Sequence, residues 1–303
     1  MELLYFFESI RTPVLDELML LITKLGEETA FLVAALILFW CVDKRKGYFV
    51  LSVGFVGTIT SQFMKLLCRI PRPWVLDENF TILESAREAA TGYSFPSGHS
   101  QSAVGTFGGI AATIKNKWVR IVAICIAVLV PVSRMYVGVH TFWDVLVGSA
   151  ISVALIFALR PVIFSKNKNA LPIFLGFMSL LAVGYTLFVE LYPFPTDVDS
   201  ENLASGVKNA YTLLGALLGF LVVYFVDEKW LNFSNSAVWW AQILKVVFGL
   251  LLVLAVKSGL KTPLNLLFGE YIGRSARYFL IVIVAGILWP LSFKFFGKLG
   301  KTK

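Results

Sequence analysis

The amino-acid sequence predicts an all-α protein, a polytopic bundle of about nine transmembrane helices. Its 303 residues are 57% hydrophobic and only 15% charged, whereas soluble domains average about 45–50% apolar and about 25% charged residues. The mean hydropathy is +0.77. The apolar residues gather in blocks of about 15–22 residues, a length suited to crossing the hydrocarbon layer. Together these observations exclude a soluble domain, a disordered chain and a coiled coil.

Nine apolar blocks define the predicted spans, and the chain divides after the fifth. The block at 118–132 is short and the block at 239–257 contains Lys245, so eight or ten spans are the alternatives. Residues 1–25 are amphipathic and either lie at the membrane interface or extend the first span. A polar linker at 160–170 separates an N-terminal core, residues 1–160, from a C-terminal membrane extension of about four spans, residues 161–303. The predicted spans are 26–42, 48–67, 98–114, 118–132, 142–160, 171–190, 209–226, 239–257 and 278–296.

The charge distribution predicts the orientation of the bundle. The chain has 27 Lys and Arg against 19 Asp and Glu, a net charge of +8. The basic residues flank apolar blocks, which excludes a nucleic-acid partner and follows the positive-inside rule. Three short turns, at 43–47, 115–120 and 160–169, are uniformly basic and are therefore predicted to be cytoplasmic. The loop 68–97 then lies outside the cell, or in the lumen if the protein occupies an internal membrane.

The first candidate site residues form a turn before an apolar block. His99, one of only two histidines, ends the string Phe95-Pro96-Ser97-Gly98-His99. A Ser-Gly pair at a helix start offers backbone N–H groups and a hydroxyl to an anion. Ser97 is equally suited to cap the helix, and the two interpretations are compatible.

The second histidine stands four residues before a carboxylate. If a helix begins near His140, then Asp144 lies one turn later on the same face. Asp144 is then able to accept from one imidazole nitrogen and leave the other free as a nucleophile. The alternative is a carboxylate that merely stabilises the start of the helix.

Three cations complete the pattern. Lys65 ends a predicted span, Arg72 lies between two prolines, and Arg134 precedes His140 by six residues. Taken singly, they read as basic side chains that snorkel to the interface. The span count, however, brings them to the same membrane face as both histidines. Three cations with two imidazoles predict a phosphate site, in which one histidine attacks and the other gives a proton.

These three segments, 65–73, 96–99 and 133–144, resemble the signature of the type 2 phosphatidic acid phosphatase superfamily. Their patterns are Lys-x6-Arg-Pro, Pro-Ser-Gly-His and Ser-Arg-x5-His-x3-Asp. The resemblance implies His140 as the nucleophile that becomes phosphorylated, Asp144 as its orienting partner, and His99 as the acid for the leaving oxygen. It implies no metal and no cofactor. The phosphate-binding residues that it implies are Lys65, Arg72, Ser97, Gly98 and Arg134.

The position of the motifs is similar to the nine-span glucose-6-phosphatase and sphingosine-phosphate phosphatase branch of that superfamily. The first motif follows the second span, and about 140 residues extend beyond the third motif. The expected activity is metal-independent release of phosphate from a lipid phosphate, a lipid pyrophosphate or another phosphomonoester. The alternatives are a phosphotransferase with an acceptor other than water and a non-catalytic lipid transporter, although transport needs no nucleophile. The sequence carries no signal for an oligomeric state.

Overall fold

The computed structural model describes residues 1–299, and every regular element among them is a helix. Seven helices are long and apolar enough to cross a membrane, and a bent pair of helices adds an eighth span if it is counted as one. The prediction of an all-α integral membrane protein is therefore confirmed. The predicted count of about nine is close to this number, and the difference lies at residues 98–114.

Two amphipathic helices open the chain. The side-chain oxygen of Thr12 accepts from the backbone N–H of Leu15, and Pro13 occupies the first position of the second helix. Apolar side chains such as Val14 stay exposed, as expected of helices at a membrane interface. The helix that begins at Glu28 is bent by 54° relative to the second helix. These elements are α1 (Glu2–Ser9), α2 (Pro13–Lys24) and α3 (Glu28–Ile37), which continues as a π-helical turn, Leu38–Val42.

The next helix, α4 (Lys44–Cys68), is long and ends where the first motif begins. Lys65 lies in its last turn, and Arg69 adopts a left-handed conformation with φ of 50° just after it. The loop that follows contains only α5 (Pro73–Leu76) and a 3-10 turn, Glu84–Ala86. The first two motifs are thus separated by a largely irregular segment.

The span predicted at 98–114 is a short helix in three parts. α6 (Gly98–Ala103), a π-helical turn (Val104–Gly108) and α7 (Gly109–Thr113) contain 6, 5 and 5 residues in direct succession. This is less than the roughly 20 residues that a straight helix needs to span the bilayer, which explains the lower count.

Two long helices carry the third motif. Asn116 caps the first of them by accepting from the backbone N–H groups of Trp118 and Val119. This helix runs beyond the apolar block predicted at 118–132, so Arg134 lies inside it. Gly138, with φ of 86°, turns the chain into the second helix. The two helices are α8 (Lys117–Tyr136) and α9 (Phe142–Ile163).

The remaining helices form most of a second compact unit. Lys245, which made the span at 239–257 uncertain, is fully buried there, and its Nζ donates to the carbonyl of Trp40 at 2.9 Å. Its charge is thus satisfied within the protein. The helices are α10 (Ala170–Leu191), α11 (Ser200–Val226), α12 (Trp239–Gly259), α13 (Lys261–Ile283) and α14 (Phe293–Phe296); π-helical turns extend α11 over Asp227–Leu231 and α13 over Val284–Leu288.

The described chain forms two compact units, and it passes from the first to the second after Arg160. The first unit contains Met1–Ala34, Phe49–Arg160 and Pro193–Gly206. The second contains Ala35–Tyr48, Pro161–Tyr192 and the chain from Val207 onwards. All the predicted site residues belong to the first unit.

Candidate active site

The turn that carries Ser97, Gly98 and His99 begins α6. The Ser97 hydroxyl oxygen accepts from the backbone N–H of Ser100 at 3.4 Å and from its hydroxyl at 2.9 Å, so Ser97 caps the helix. The Ser97 backbone N–H donates to the carbonyl of Asp144 at 2.9 Å, which fastens the turn to α9. A Cβ atom at Gly98 would meet nothing within 4 Å. Open space therefore lies beside Gly98 at the start of α6.

His140 lies in the turn between α8 and α9 and is almost completely buried. Its Nε2 atom is 2.9 Å from Arg72 Nη1, and its Nδ1 atom is 3.5 Å from Asp144 Oδ2. Burial, followed by the positive charge of Arg72, lowers the pKa of His140 well below its usual value of about 6.5. A lowered pKa favours the neutral imidazole, and the lone pair on its Nε2 atom then accepts from Arg72 Nη1.

Asp144 belongs to a small hydrogen-bonded cluster. Its Oδ2 atom accepts from Ser94 Oγ at 2.6 Å and from the backbone N–H of Thr141 at 2.7 Å. Ser94 Oγ is also 3.4 Å from His140 Nδ1. Ser94 Oγ thus donates to Asp144 and also contacts His140 Nδ1, so it links the carboxylate and the imidazole beside their own 3.5 Å contact. The structure thus brings the predicted pair together with a third residue between them.

Lys65 and Arg72 are both buried and both held by backbone carbonyls, most of them in the loop before α6. The acceptors of Arg72 are the carbonyls of Thr91, Gly92 and Val139, at 2.8, 3.1 and 3.0 Å, and those of Lys65 are the carbonyls of Tyr93 and Ser94. Carbonyls orient a cation without neutralising its charge. Carbonyl oxygens leave a protonated Lys65 and Arg72 without a compensating negative charge, which a bound anion would supply.

Arg134 and His99 carry buried nitrogen atoms that lack partners. Arg134 Nη1 donates to Thr23 Oγ1 in α2 at 2.9 Å, but its Nε and Nη2 atoms have no hydrogen-bond partner in the part of the chain that the structure describes. The same holds for Nε2 of His99. The charges of Arg134, Arg72 and Lys65 all act on His99, so these groups share one environment. Buried polar atoms without partners are rare and indicate where the oxygen atoms of a ligand would bind.

The cluster carries an excess of positive charge. Within residues 1–299, no carboxylate forms an ion pair with Lys65, Arg72 or Arg134. Asp144 contributes one negative charge, whereas the three cations contribute three positive ones. Buried charges are costly unless they are compensated. A bound phosphate would supply the missing negative charge, and the surrounding N–H groups would supply its hydrogen bonds.

Two residues of this cluster are absent from the sequence-based prediction. Ser94 lies 50 residues from its partner Asp144, and Thr23 lies 111 residues from Arg134. Neither separation produces a local spacing pattern. Only one feature of the sequence could have pointed to Ser94, namely its position three residues before Ser97 in the same loop.

Acidic and thiol side chains do not gather around the site. Among the residues described, no group of three or more His, Cys, Asp or Glu side chains is arranged to hold a metal ion. Metal independence itself stays a prediction, because it concerns activity.

The chain was compared with known proteins. The sequence model described as the PAP2 superfamily matches residues 45–169, and the one described as PAP2 superfamily phosphatase, transmembrane extension, matches residues 211–302. Phosphatidylglycerophosphatase B of Bacillus subtilis is 32% identical over 164 residues, which are 50% of this chain and 76% of that protein. The undecaprenyl-diphosphatase of Sulfolobus acidocaldarius is 30% identical over 149 residues, 48% of this chain and 70% of that protein. No solved structure matches the chain.

The first match contains all three motifs, and the second covers most of the region after α10. Neither relative bears a name from the glucose-6-phosphatase and sphingosine-phosphate phosphatase branch, so that similarity of layout stays a prediction. The two matches and both relatives agree with the phosphate site built by the three motifs: this chain belongs to the PAP2 superfamily, as a membrane phosphatase that carries the superfamily's transmembrane extension.

Proposed function

We propose that this protein hydrolyses a lipid phosphate or lipid pyrophosphate through a phosphohistidine on His140. The observation that carries the proposal is a buried cluster of three cations, Lys65, Arg72 and Arg134, with no ion-pair partner among residues 1–299 and with unpartnered N–H groups on Arg134. Such a cluster suits the oxygen atoms of a phosphoryl group, whose charge increases at the transition state.

The proposed reaction has two steps. His140 Nε2 attacks phosphorus, an N–P bond forms, and the bond to the leaving oxygen breaks while His99 gives that oxygen a proton. Water then attacks the phosphoryl group and gives a proton to His99, and inorganic phosphate leaves as the N–P bond breaks. Burial and the nearby cations favour a neutral imidazole at His140, which supports the first step. His99 enters that step protonated, a state that the negative charge of a bound phosphate would favour. Its Nε2 atom, which has no partner among residues 1–299, supports its role as acid and then base.

The lipid nature of the substrate is supported by the relatives and by the surroundings of the third motif. The names of the two relatives refer to a phosphatidylglycerophosphate and to an undecaprenyl diphosphate. Phe142 and Trp143, which directly precede Asp144, are 46% and 66% exposed at the start of α9. Exposed aromatic rings at the end of a membrane helix suit contact with lipid.

The direct test is release of inorganic phosphate by the purified protein from phosphatidate, phosphatidylglycerophosphate, polyprenyl pyrophosphate and sugar phosphates. We expect release from at least one lipid substrate at a rate well above that from sugar phosphates. If a folded preparation released phosphate from none of the lipids, the proposal would be wrong. Transfer of the phosphoryl group to an added alcohol instead of water would favour the phosphotransferase alternative.

Activity is expected to survive EDTA. The three cations already provide the charge stabilisation that Mg²⁺ gives to other phosphoryl-transfer sites, so a metal has no further role to fill. The measurement is phosphate release before and after chelation, with a Mg²⁺-dependent phosphatase as the control that loses activity. Loss of turnover in EDTA and its recovery with Mg²⁺ would contradict the site described above.

The active site is expected to open on the extracytoplasmic side of the membrane. In a variant without Cys41, Cys68 and Cys125, a membrane-impermeant thiol reagent should label Glu78→Cys in intact cells and should spare Asn169→Cys. Both positions are exposed, so membrane sidedness alone decides the labelling. Permeabilised cells provide the control, because both cysteines should then react. The reverse pattern in intact cells would invert the proposed topology.

Replacement of Ser94 with alanine is expected to lower kcat about tenfold and to leave KM nearly unchanged, since a hydrogen bond to a charged group is worth about 1.5–3 kcal/mol. Ser94 positions Asp144 and His140 and does not itself contact the phosphate in the proposed reaction. Ser52→Ala is the matched control, because Ser52 is equally buried and its hydroxyl has no partner. Equal kcat values for the two variants would remove Ser94 from the mechanism.

A further inference from the structure

A polar cavity of about 260 Å³ lies within the second unit. Lys44 and Tyr48 of α4 line it, with Ser165 from the turn after α9, Leu171 of α10 and Asp227 just after α11. None of these residues belongs to the phosphatase motifs. The cavity adjoins two of the basic turns, 43–47 and 160–169, which the charge distribution predicts to be cytoplasmic.

A tyrosine hydroxyl at this cavity lacks a hydrogen-bond partner. Tyr48 is only 3% exposed, and its ring packs against Phe220 and Tyr224 with centroid distances of 5.0 and 5.8 Å. The ring is therefore fixed, yet its Oη atom is buried without a partner in the structure. A buried hydroxyl without a partner is unfavourable. Because Tyr48 lines the cavity, a ligand bound there is the natural partner.

The fixed charges of the cavity form one closed pair. Lys44 Nζ donates to Asp227 Oδ1 and Oδ2 at 2.9 and 2.7 Å and lies 3.8 Å above the ring of Phe233. Asp227 also accepts from the Phe233 backbone N–H at 3.2 Å. This pair is neutral and well anchored, so it forms a wall of the cavity and leaves no net charge for a ligand.

The other charged groups leave the cavity positive. Arg45 and Lys168 contribute two positive charges, Glu228 contributes one negative charge, and all three residues are exposed. Arg45 Nη1 donates to the Ser165 carbonyl at 3.3 Å, which holds the guanidinium in place. Arg45 and Tyr48 stand three residues apart on one face of α4, so a single ligand can reach both.

We propose that this cavity binds the phosphate group of an anionic ligand, through Arg45, Lys168 and the Tyr48 hydroxyl. The shared chemistry is an oxyanion that accepts hydrogen bonds from two cations and one hydroxyl. An anionic phospholipid headgroup and free phosphate both present such an oxyanion. Apolar lining residues such as Ile163 and Leu171 beside the polar groups suit a headgroup at a helix end. The site is separate from the catalytic one, since Lys44 opens α4 whereas Lys65 stands in its last turn.

The test is thermal unfolding of the purified full-length protein in a neutral detergent. The probes are dioctanoyl phosphatidylglycerol, dioctanoylglycerol, which has no phosphate, and sodium phosphate. We expect a saturable rise in Tm with phosphatidylglycerol and none with dioctanoylglycerol. The double variant Arg45→Gln and Lys168→Gln should weaken the apparent Kd about tenfold. A rise with sodium phosphate that the same double variant weakens would identify free phosphate as the ligand of this cavity, because binding at the active site does not involve Arg45 or Lys168.

The matched control is the double variant Lys115→Gln and Lys117→Gln, which removes two cations predicted on the same membrane side but outside the cavity. Its Kd should equal that of the wild-type protein. Equal weakening by both double variants would mean general attraction to the basic surface, and the proposal would be wrong. Absence of any saturable rise in the wild-type protein would also overturn it.

Tyr48→Phe tests the same site by removing one oxygen atom. This variant keeps the proposal testable even if the charge variants do not fold. Without ligand, its Tm should equal or exceed that of the wild-type protein, because an unsatisfied hydroxyl is gone. With phosphatidylglycerol or phosphate, its Kd should be weaker. An unchanged Kd would contradict the proposed contact. Tyr48 lies outside the three motifs, so a change of Kd in this variant reports on the cavity and is independent of the phosphatase proposal.

Discussion

Replacement of His140 with alanine is expected to abolish phosphate release from every substrate, by about 10⁴-fold or more, because the covalent route disappears with its nucleophile. The imidazole is buried, burial lowers its pKa, and its Nε2 atom lies 2.9 Å from Arg72 Nη1. No other buried imidazole pairs with a carboxylate in the part of the chain described. The measurement is release of inorganic phosphate at saturating substrate.

The control for His140→Ala is a measurement that shows the variant to be folded. His140→Ala opens a small cavity beside Arg72, so its thermal unfolding and its elution as a single species should be compared with those of the wild-type protein. A folded His140→Ala protein that keeps more than about a hundredth of the wild-type kcat would exclude His140 as the nucleophile, since loss of such a group costs far more.

Replacement of His99 with alanine is expected to slow the first turnover of an alkyl phosphate by about 10²–10⁴-fold, the usual contribution of a general acid. With p-nitrophenyl phosphate, the first turnover should be slowed far less, because this leaving group departs without a proton. Two observations motivate the assignment of His99 as the general acid. Its Nε2 atom has no partner among residues 1–299, and the charges of Lys65, Arg72 and Arg134 act on its imidazole. Rapid-quench measurement of leaving-group release in the first turnover separates the two cases.

The comparison of the two substrates also distinguishes an effect on catalysis from an effect on phosphate binding. If His99 only helped to hold the phosphate, both substrates would lose activity equally, because they present the same phosphoryl group. Equal slowing would therefore assign His99 to binding. The wild-type protein, measured with both substrates, sets the ratio against which the variant is judged.

The three motifs could be predicted from the sequence because each is a local pattern. Ser97 was expected to cap a helix and does so through Ser100. The spacing of His140 and Asp144 was expected to bring them together, and their side chains lie 3.5 Å apart. Amphipathic and apolar periodicity likewise predicted the helices. These are short-range properties that a sequence displays directly.

The contacts that hold the site residues in place could not be predicted from local patterns. Arg72 is held by the carbonyls of Thr91 and Gly92, in an irregular loop whose path no periodicity describes. Ser94 and Thr23 act across long separations in sequence and are visible only once the helices have packed. The π-helical turn Val104–Gly108 interrupts the α-helix of a predicted span without any proline to signal it.

The central claim, a phosphohistidine on His140, is tested most directly by mapping the phosphoryl group. His99→Ala should accumulate the intermediate with p-nitrophenyl phosphate, because the first step no longer needs an acid while hydrolysis of the N–P bond still needs a base. An alkaline quench preserves such a bond, and tandem mass spectrometry then locates it. We predict one phosphoryl group, labile in acid, on the peptide that contains His140. A phosphoryl group on a hydroxyl such as that of Ser97, or first-turnover release with no phosphorylated peptide, would contradict the mechanism.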